Sequence, residues 1–310
     1  RKTVDLLYSK DVPLSAGNPT GYYPVNVGSI VNNGFELTLE GILINTSEMQ
    51  WSLNMNLSHY RNKILSLDPS VSEEGIKGGN YIYKIGGSLY EAYMRKYAGV
   101  NPENGKAQWY RKVLDKDGTW TGESEITETF ADASQYELGS VLPKLYGGFG
   151  TTFKAYGFDL SAQFSFQLGG RYYDGTYQAL MHTSSGIGTA WHKDVLDSWS
   201  ETNKDSDIPR LDGDTSVGQT AVSNYLISSN YLSVNNITLG YTFPESVTSY
   251  LKISGLRIYV AGDNLAVKSA RKGVDPRYSM GLGSLTSGSG LNSGSYSAMR
   301  TITGGITLTF

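Results

Sequence analysis

The stretch Phe158-Asp159-Leu160-Ser161-Ala162-Gln163-Phe164-Ser165-Phe166-Gln167-Leu168 alternates apolar and polar residues without a break. Successive side chains of a β-strand point to opposite faces, whereas an amphipathic helix would place apolar residues at i, i+3, i+4 and i+7. The stretch is therefore predicted to be a strand with one apolar and one polar face. At 49–59 the same alternation sets Trp51 and Leu53 against Ser52 and Asn54.

Seven segments follow this rule and are predicted to be strands: 33–44, 49–59, 145–155, 158–168, 231–243, 256–264 and 299–310. Within 231–243 the apolar residues change phase, which predicts a β-bulge near Asn235. Two shorter candidates lie at 88–98 and 106–113, and residues 1–8 are expected to end a further strand.

The length of these strands points to a membrane. Strands of globular proteins average about 5–6 residues, whereas a tilted strand needs about 9–11 residues to cross a bilayer. Most of the seven segments match the longer value, and their polar faces carry Asn, Gln and Ser, which suits a water-filled lumen. Backbone amides in lipid must all be paired, so such strands have to close on themselves. The predicted fold is an all-β, transmembrane antiparallel β-barrel.

The connections between the predicted strands alternate in length. Tight turns occur at 45–48 and 156–157, and long polar stretches occupy 61–87, 114–144, 169–230 and 266–298. Outer-membrane barrels combine short periplasmic turns with long extracellular loops. We therefore expect the long stretches outside the cell and the last strand to run toward the periplasm. An odd number of strands, in a class whose bacterial members have even numbers, predicts further strands before Arg1.

Composition narrows the class of protein further. The chain has 310 residues, of which 23 are Tyr and none is Cys, so disulfides and cysteine-ligated metal sites are excluded. The net charge of −3 and the isoelectric point near 5.7 argue against a nucleic-acid partner. The longest purely apolar runs, such as 42–44, are far too short for a transmembrane helix.

Six motifs occur in a fixed order along the chain. They are NVGSIVNNGFE (26–36), YAGVNPENG (97–105), LPKLYGG (142–148), VNNITLGYTFP (234–244), DNL (263–265) followed by GVDP (273–276), and TITGGITLTF (301–310). The ordered set, rather than any single motif, resembles the SusC/RagA type of TonB-dependent outer-membrane transporter.

This resemblance implies the rest of the expected machinery. Transporters of this kind have barrels of about 22 strands with a plugged lumen. Residues 1–310 would be the C-terminal section of the barrel, roughly its last third, and the plug and its TonB-contacting segment would lie outside this chain. The resemblance also implies a SusD-like surface lipoprotein as partner and an oligosaccharide or peptide as cargo. No cofactor is expected.

Two sets of residues are candidates for a role in such a barrel. The lumen-facing candidates are Ser52, Asn54, Asn56, Gln163, Ser165 and Gln167. The last strand places Ile306, Leu308 and the terminal Phe310 at period two. This pattern resembles the signal read by the machinery that assembles outer-membrane barrels, and the alternative is an ordinary last strand.

Aromatic residues in the long stretches are candidates for stacking on sugars, whose C–H faces pair with ring faces. They are Trp109, Trp120, Tyr177, Trp191 and Trp199. The alternative for each of them is packing within its own loop.

No catalytic or metal-binding constellation is found. His59, His182 and His192 stand in no motif with a nucleophile and an acid, and neither HExxH nor GxSxG occurs. Asp115-Lys116-Asp117-Gly118 begins like a calcium loop, but Ile126 stands where the final Glu ligand is required. Two other hypotheses stay open: a small outer-membrane barrel enzyme, and a soluble all-β carbohydrate-binding module whose apolar faces would be buried between two sheets.

Overall fold

The computed structural model describes residues 1–69, 73–181, 190–211, 222–278 and 298–310. The strands in this part of the chain are β1 (Lys2–Asp11), β2 (Tyr22–Asn45), β3 (Met49–Ser66), β4 (Ile76–Gly78), β5 (Tyr81–Tyr83), β6 (Glu91–Arg95), β7 (Tyr97–Val100), β8 (Ala107–Leu114), β9 (Trp120–Thr127), β10 (Gln135–Ser140), β11 (Leu145–Ala155), β12 (Phe158–Leu168), β13 (Arg171–Tyr173), β14 (Leu226–Ser228), β15 (Tyr231–Thr242), β16 (Gly255–Ser269) and β17 (Thr301–Thr309).

Helices are few and short. The described residues contain the α-helices α1 (Gly175–Leu180) and α2 (Glu245–Thr248), and the 3₁₀ turns Leu14–Ala16, Phe130–Asp132, Lys193–Asp197, Ser223–Tyr225 and Pro276–Tyr278. In the ranges given above, no helix is both long enough and apolar enough to span a membrane.

Eight long strands form one antiparallel sheet in the order β1-β2-β3-β11-β12-β15-β16-β17. All seven strands predicted from alternation lie in this sheet, and β1 supplies the eighth. We call this sheet the wall. Within the described residues β1 and β17 each pair with a single neighbour, so they are the two edge strands of the wall.

The bulge predicted near Asn235 is confirmed. Gln163 of β12 pairs with Asn236 and the next residue pairs with Val234, so Asn235 has no partner across the strand. The pairing of β15 with β16 skips the same residue. The extra residue restores the apolar phase, because Leu232 and Val234 then share a face with Ile237 and Leu239.

The two shorter strand candidates do not join the wall. The segment 88–98 contains β6 and the start of β7, and 106–113 overlaps all of β8 except its last residue. These strands belong to two small sheets, β10-β6-β5-β4 and β7-β8-β9, while β13 pairs with β14. Their apolar residues face a core of the connecting segments rather than lipid, which explains why they alternate and yet remain short.

This core joins the long connections into a folded layer. Met94, Trp109 and Tyr173 are each no more than 2% exposed and belong to one cluster. The other buried members of the cluster are Tyr81, Ala92, Ala107, Ala133, Val141, Val222 and Tyr225. The long connections therefore bury an apolar core of their own, and we call this part of the molecule the loop layer.

The apolar face of the wall is uncovered. Leu39, Leu53 and Val260 are 51%, 40% and 47% exposed, although they lie in the middle of long strands. A soluble sandwich would bury these side chains between two sheets. Their exposure fits a face that is solvated by hydrocarbon, and it argues against the carbohydrate-binding module.

Candidate functional site

The polar face of the wall is built from rows of directly paired residues. One row runs through Glu40, Asn54, Gly150, Gln163 and Asn236, on five successive strands. Directly paired residues lie on the same face of a sheet. All six predicted lumen-facing residues therefore share one face, opposite the apolar one.

Glycines in β11 make room for the side chains of this face. A Cβ on Gly150 would come within 2.3 Å of the Gln163 side chain, which lies across β11 at this point. The side chain of Asn56 lies against Gly148 of the same strand, and its Oδ1 accepts a hydrogen bond of 2.9 Å from the backbone N–H of Gly148. Asn56 is exposed and Gln163 is half-buried, so side-chain amides of Asn and of Gln line the polar face.

Two of the six candidates lie where the loop layer is attached to the wall: Gln167 bonds to it directly, and Ser165 bonds to a wall residue that a connecting segment also contacts. Gln167 is 4% exposed, and its Nε2 donates to the backbone oxygen and the Oγ of Ser229. The Ser165 hydroxyl donates to Oδ1 of Asn235, the bulged residue. Arg277 donates from Nη1 to the same Oδ1 at 3.2 Å. The bulge thus presents an acceptor that ties a connecting segment to the polar face.

The polar face also carries a bidentate ion pair. Arg257 of β16 donates from Nε and Nη2 to the two carboxylate oxygens of Asp159 on β12, at 2.9 and 2.6 Å. β15 runs between these strands, and a Cβ on its Gly240 would lie 2.4 Å from Nη2 of Arg257. The absence of a side chain at Gly240 therefore permits the pair to bridge two strands.

This ion pair lies at the turn end of the wall, beside an open cleft. The cleft has a volume of about 580 Å³ and is lined by the turn residues 45–50 and 154–159 together with Thr242 and Arg257. Alternation places Asp159 on the polar face, but its partner is 98 residues away. Sequence reasoning therefore missed the pair, and the only available signal was the charge of each residue.

The candidate loop aromatics occupy different environments. Trp109 is buried in the loop layer, with ring centroids 6.5 Å from Tyr97 and 5.2 Å from Phe130. Trp199 is anchored through its indole N–H to the backbone oxygen of Pro102. By contrast, Trp120 and Trp191 are both 45% exposed.

Tyr177 lies in a polar cluster of the loop layer. The guanidinium carbon of Arg271 lies 3.2 Å from the centroid of its ring, and its hydroxyl donates to Oδ2 of Asp194. Its ring also meets the imidazole of His192 edge-on at 4.9 Å. The ring and the hydroxyl of Tyr177 are thus both engaged with protein groups.

Burial and hydrogen bonding shift several pKa values in the loop layer. Burial raises the pKa of Tyr97 well above its ordinary value and raises that of Tyr225 to about 12. The pKa of Glu128 is lowered chiefly by a hydrogen bond from the Asn101 side-chain amide, and further by Asn104. These shifts mark tyrosines that stay neutral and a glutamate that stays ionised.

The end of the chain follows the predicted pattern. Ile306 pairs with Ile258 and Leu308 with Leu256, so both lie on the apolar face, and both are exposed. Phe310 follows β17 and is 88% exposed.

The structure offers no cation site among the residues that it describes. No group of three or more His, Asp or Glu side chains there is placed to hold a metal ion. Oδ1 of Asp115 accepts hydrogen bonds from the backbone N–H groups of Asp117 and Thr119, so the segment 115–118 is a turn. His182 lies outside the described residues.

Relatives were found by sequence for the whole chain. It is 27% identical over 333 residues to TonB-dependent receptor P3 and 28% identical over 321 residues to TonB-dependent receptor P26, both of Formosa agariphila. Each alignment covers all of this chain, and respectively 31% and 32% of the relative. Identity to the TonB-dependent receptor SusC of Bacteroides thetaiotaomicron is 26% over 294 residues, covering 91% of this chain and 27% of SusC.

A solved structure agrees with these relatives. The RagAB peptide transporter matches with a TM-score of 0.78 and 25% identity, over all of this chain and 32% of the matched chain. Over its whole length the chain is similar to TonB-dependent receptors of the SusC/RagA type. Its wall is part of an outer-membrane β-barrel, and it spans about a third of the length of the relatives. These relatives are receptors and a transporter rather than enzymes. No protein-family model matches the chain.

Proposed function

We propose that this chain is the C-terminal section of a TonB-dependent importer, contributing barrel wall and extracellular loops to the uptake of a glycan or a peptide. The observation that carries the proposal is the two-faced wall, which combines an uncovered apolar face with rows of amides and hydroxyls. The likeness to the RagAB peptide transporter over the whole chain supports it.

In this proposal the loop layer faces the outside of the cell and the short turns face the periplasm. Cargo makes weak hydrogen bonds to side chains such as Asn54, Asn56 and Gln163 and passes when a plug outside this chain is remodelled by TonB. A SusD-like lipoprotein assists capture at the loop layer. The exposed Trp120 and Trp191 are the loop aromatics most accessible to cargo.

Uptake by cells tests this function. The full-length receptor is expressed in a strain that lacks its own copy, and depletion of a defined peptide mixture and a defined oligosaccharide mixture from the medium is followed by mass spectrometry. We expect one of the two mixtures to be depleted only when the receptor is present. The double variant Asn54→Leu and Gln163→Leu should slow that depletion by removing hydrogen-bonding groups from the path.

The matched control changes the opposite face of the same strands. Leu53→Ile with Leu160→Ile alters two lipid-facing residues while preserving their apolar character, and uptake should stay at the wild-type rate. Receptor that is present in the outer membrane and yet supports depletion of neither mixture would overturn the proposal.

A further inference from the structure

Three cations lie side by side on the apolar face of the wall, at the end nearest the loop layer. Lys63 of β3 pairs with Val31 of β2, which pairs on its other side with Lys2 of β1. Arg61 pairs with Asn33, two residues along the same two strands. Direct pairing places all these side chains on one face. We call Lys2, Arg61 and Lys63 the basic cluster.

The alternate residues of β3 confirm which way the basic cluster points. Asn62 and Ile64 are 6% and 1% exposed, buried on the inner side of the wall. Successive strand residues point to opposite faces, so Arg61 and Lys63 point outward, and both are exposed.

The basic cluster continues the apolar face directly. Phe35, Leu37 and Leu39 follow Val31 and Asn33 at period two on β2, and all three are exposed. The cations therefore stand at the border where hydrocarbon gives way to headgroups. Long Lys and Arg stems can lie along apolar surface while their charged ends reach the polar layer.

No ion pair compensates the charge of the basic cluster: none of its three members forms one within the described part of the chain. Of the carboxylates in the wall, Glu36, Glu40, Asp159 and Asp263 point to the polar face, as their strand pairing and the alternation along each strand show. β1 adds Asp11 and Asp5, and Asp5 lies in the irregular stretch between Thr3 and Leu6.

We propose that the basic cluster binds the phosphate groups of phosphorylated glycolipids in the outer leaflet of the membrane. The spacing suits such a headgroup, because strands about 4.8 Å apart separate Lys2 from Lys63 by about 10 Å, and two residues separate Arg61 from Lys63 by about 7 Å. Arg supplies a bidentate fork for one phosphate, and the flanking lysines supply further donors. The inference rests on the proposed orientation, in which the loop layer is extracellular.

Native mass spectrometry of the full-length receptor in detergent tests this site. Phosphorylated lipid A is titrated against the wild type and against the triple variant Lys2→Gln, Arg61→Gln, Lys63→Gln. We expect the triple variant to bind about 100-fold more weakly, since each cation near an anionic membrane surface contributes about 1 kcal/mol. Dephosphorylated lipid A should bind the wild type as weakly as the phosphorylated form binds the variant.

Two control variants separate the site from net charge and from folding. Lys116→Gln, Lys193→Gln and Lys272→Gln remove three exposed cations of the connecting segments, and this variant should bind like the wild type. Lys2→Arg, Arg61→Lys and Lys63→Arg retain the charge of the basic cluster and should retain most of the affinity. Equal binding of the two lipid A forms, or a triple variant indistinguishable from the wild type, would overturn the site.

Orientation is tested independently. The chain has no Cys, so Lys116→Cys, in the turn between β8 and β9, introduces a single thiol into it. An impermeant maleimide should label this thiol on intact cells. Labelling only after the cells are broken would contradict the orientation in the proposed function, whatever the lipid titration shows.

Discussion

Single residues of the polar face are held by contacts that cross strands. Arg257 reaches Asp159 over a glycine, and Ser165 meets the bulged Asn235. The first contact depends on the missing side chain at Gly240 of the intervening strand, and the second depends on Asn235 having no directly paired residue on β12. The contacts of this face therefore depend on a missing side chain and an unpaired residue as well as on the polar groups themselves.

A double-mutant cycle tests the role of Gly240. Gly240→Ala should destabilise the full-length receptor in detergent by about 1–2 kcal/mol, because the new Cβ displaces the charged hydrogen bonds of Arg257. Arg257→Ala should cost a similar amount, and the double variant little more than either change alone. The measurement is the urea midpoint of barrel unfolding. Fully additive costs would show that Gly240 does not act through the ion pair.

Glu128 provides a pH-dependent anchor in the loop layer. Its carboxylate accepts hydrogen bonds from Asn101 at 2.6 Å and from Asn104 at 3.2 Å, and these bonds lower its pKa below the ordinary 4.5. A depressed folded-state pKa stabilises the fold above the ordinary value, and this stabilisation is lost as the pH falls through the folded-state pKa.

Hydrogen exchange of residues 101–106 should reveal this anchor. Protection of these amides in the full-length receptor should fall as the pH drops below 4.5, whereas Glu128→Gln should show weaker protection at neutral pH and a flatter pH profile. The exposed Glu123 gives the control, and Glu123→Gln should match the wild type. An unchanged profile in Glu128→Gln would remove Glu128 from this role.

At the scale of elements, β17 combines a wall strand with a candidate assembly signal. Ile306 and Leu308 lie on the apolar face, and the side chain of Phe310, which follows them, is almost fully exposed. If the barrel-assembly machinery recognises these C-terminal residues, Phe310→Ala should lower the fraction of receptor that reaches the folded, heat-modifiable form. Thr309→Ala, on the polar phase of the same strand, should leave that fraction unchanged. Equal assembly of both variants would leave β17 as an ordinary strand.

The wall strands were predictable and the loop layer was not. Alternation over 158–168 and 145–155 gave strand bounds that match β12 and β11 residue for residue. β2 and β3 are longer than predicted, because residues 22–32 and 60–66 lack the clear apolar–polar alternation on which the prediction depends. The partners of β6 to β8 could not be foreseen, because short strands carry too few residues to define a face.

For the candidate site, the direction of the side chains was predictable and their distant partners were not. Period two placed Ser52, Asn54, Asn56, Gln163, Ser165 and Gln167 on one face, and the strand pairing agrees. It could not show that Gln167 holds the loop layer or that Ser165 bonds to the bulged residue, because their partners Ser229 and Asn235 are 62 and 70 residues away. Local periodicity reports the direction of a side chain and carries no information on its distant neighbours.

For the molecule as a whole, two solvents meet the two faces of one sheet. In the proposed barrel the face of Leu53 meets hydrocarbon and the face of Asn54 meets the lumen, although the two residues are adjacent. A charge costs about 2–4 kcal/mol on the lipid face near the bilayer midplane and much less in a wet lumen. A charge introduced at two neighbouring positions should therefore have very different costs, because each side chain meets a different solvent in the whole barrel.

Substitution of this adjacent pair tests the two-solvent arrangement. Leu53→Lys should reduce the amount of full-length receptor in the outer membrane and lower its free energy of unfolding by about 2–4 kcal/mol. Asn54→Lys should leave both quantities close to the wild type. The measurements are quantitative blotting of membrane fractions and urea unfolding in bilayers. Equal tolerance of both substitutions would refute a lipid-facing role for Leu53.

The sequence by itself determined that long strands with one apolar and one polar face run through this chain, because side-chain direction in a strand follows from a two-residue repeat. It also carried the phase change at Asn235, which is visible as a local break in that repeat. Tertiary structure alone decided that the connecting segments share a buried core around Trp109, and that Arg257 meets Asp159. Such contacts arise when strands far apart in the chain are brought into register, and no local pattern encodes that register.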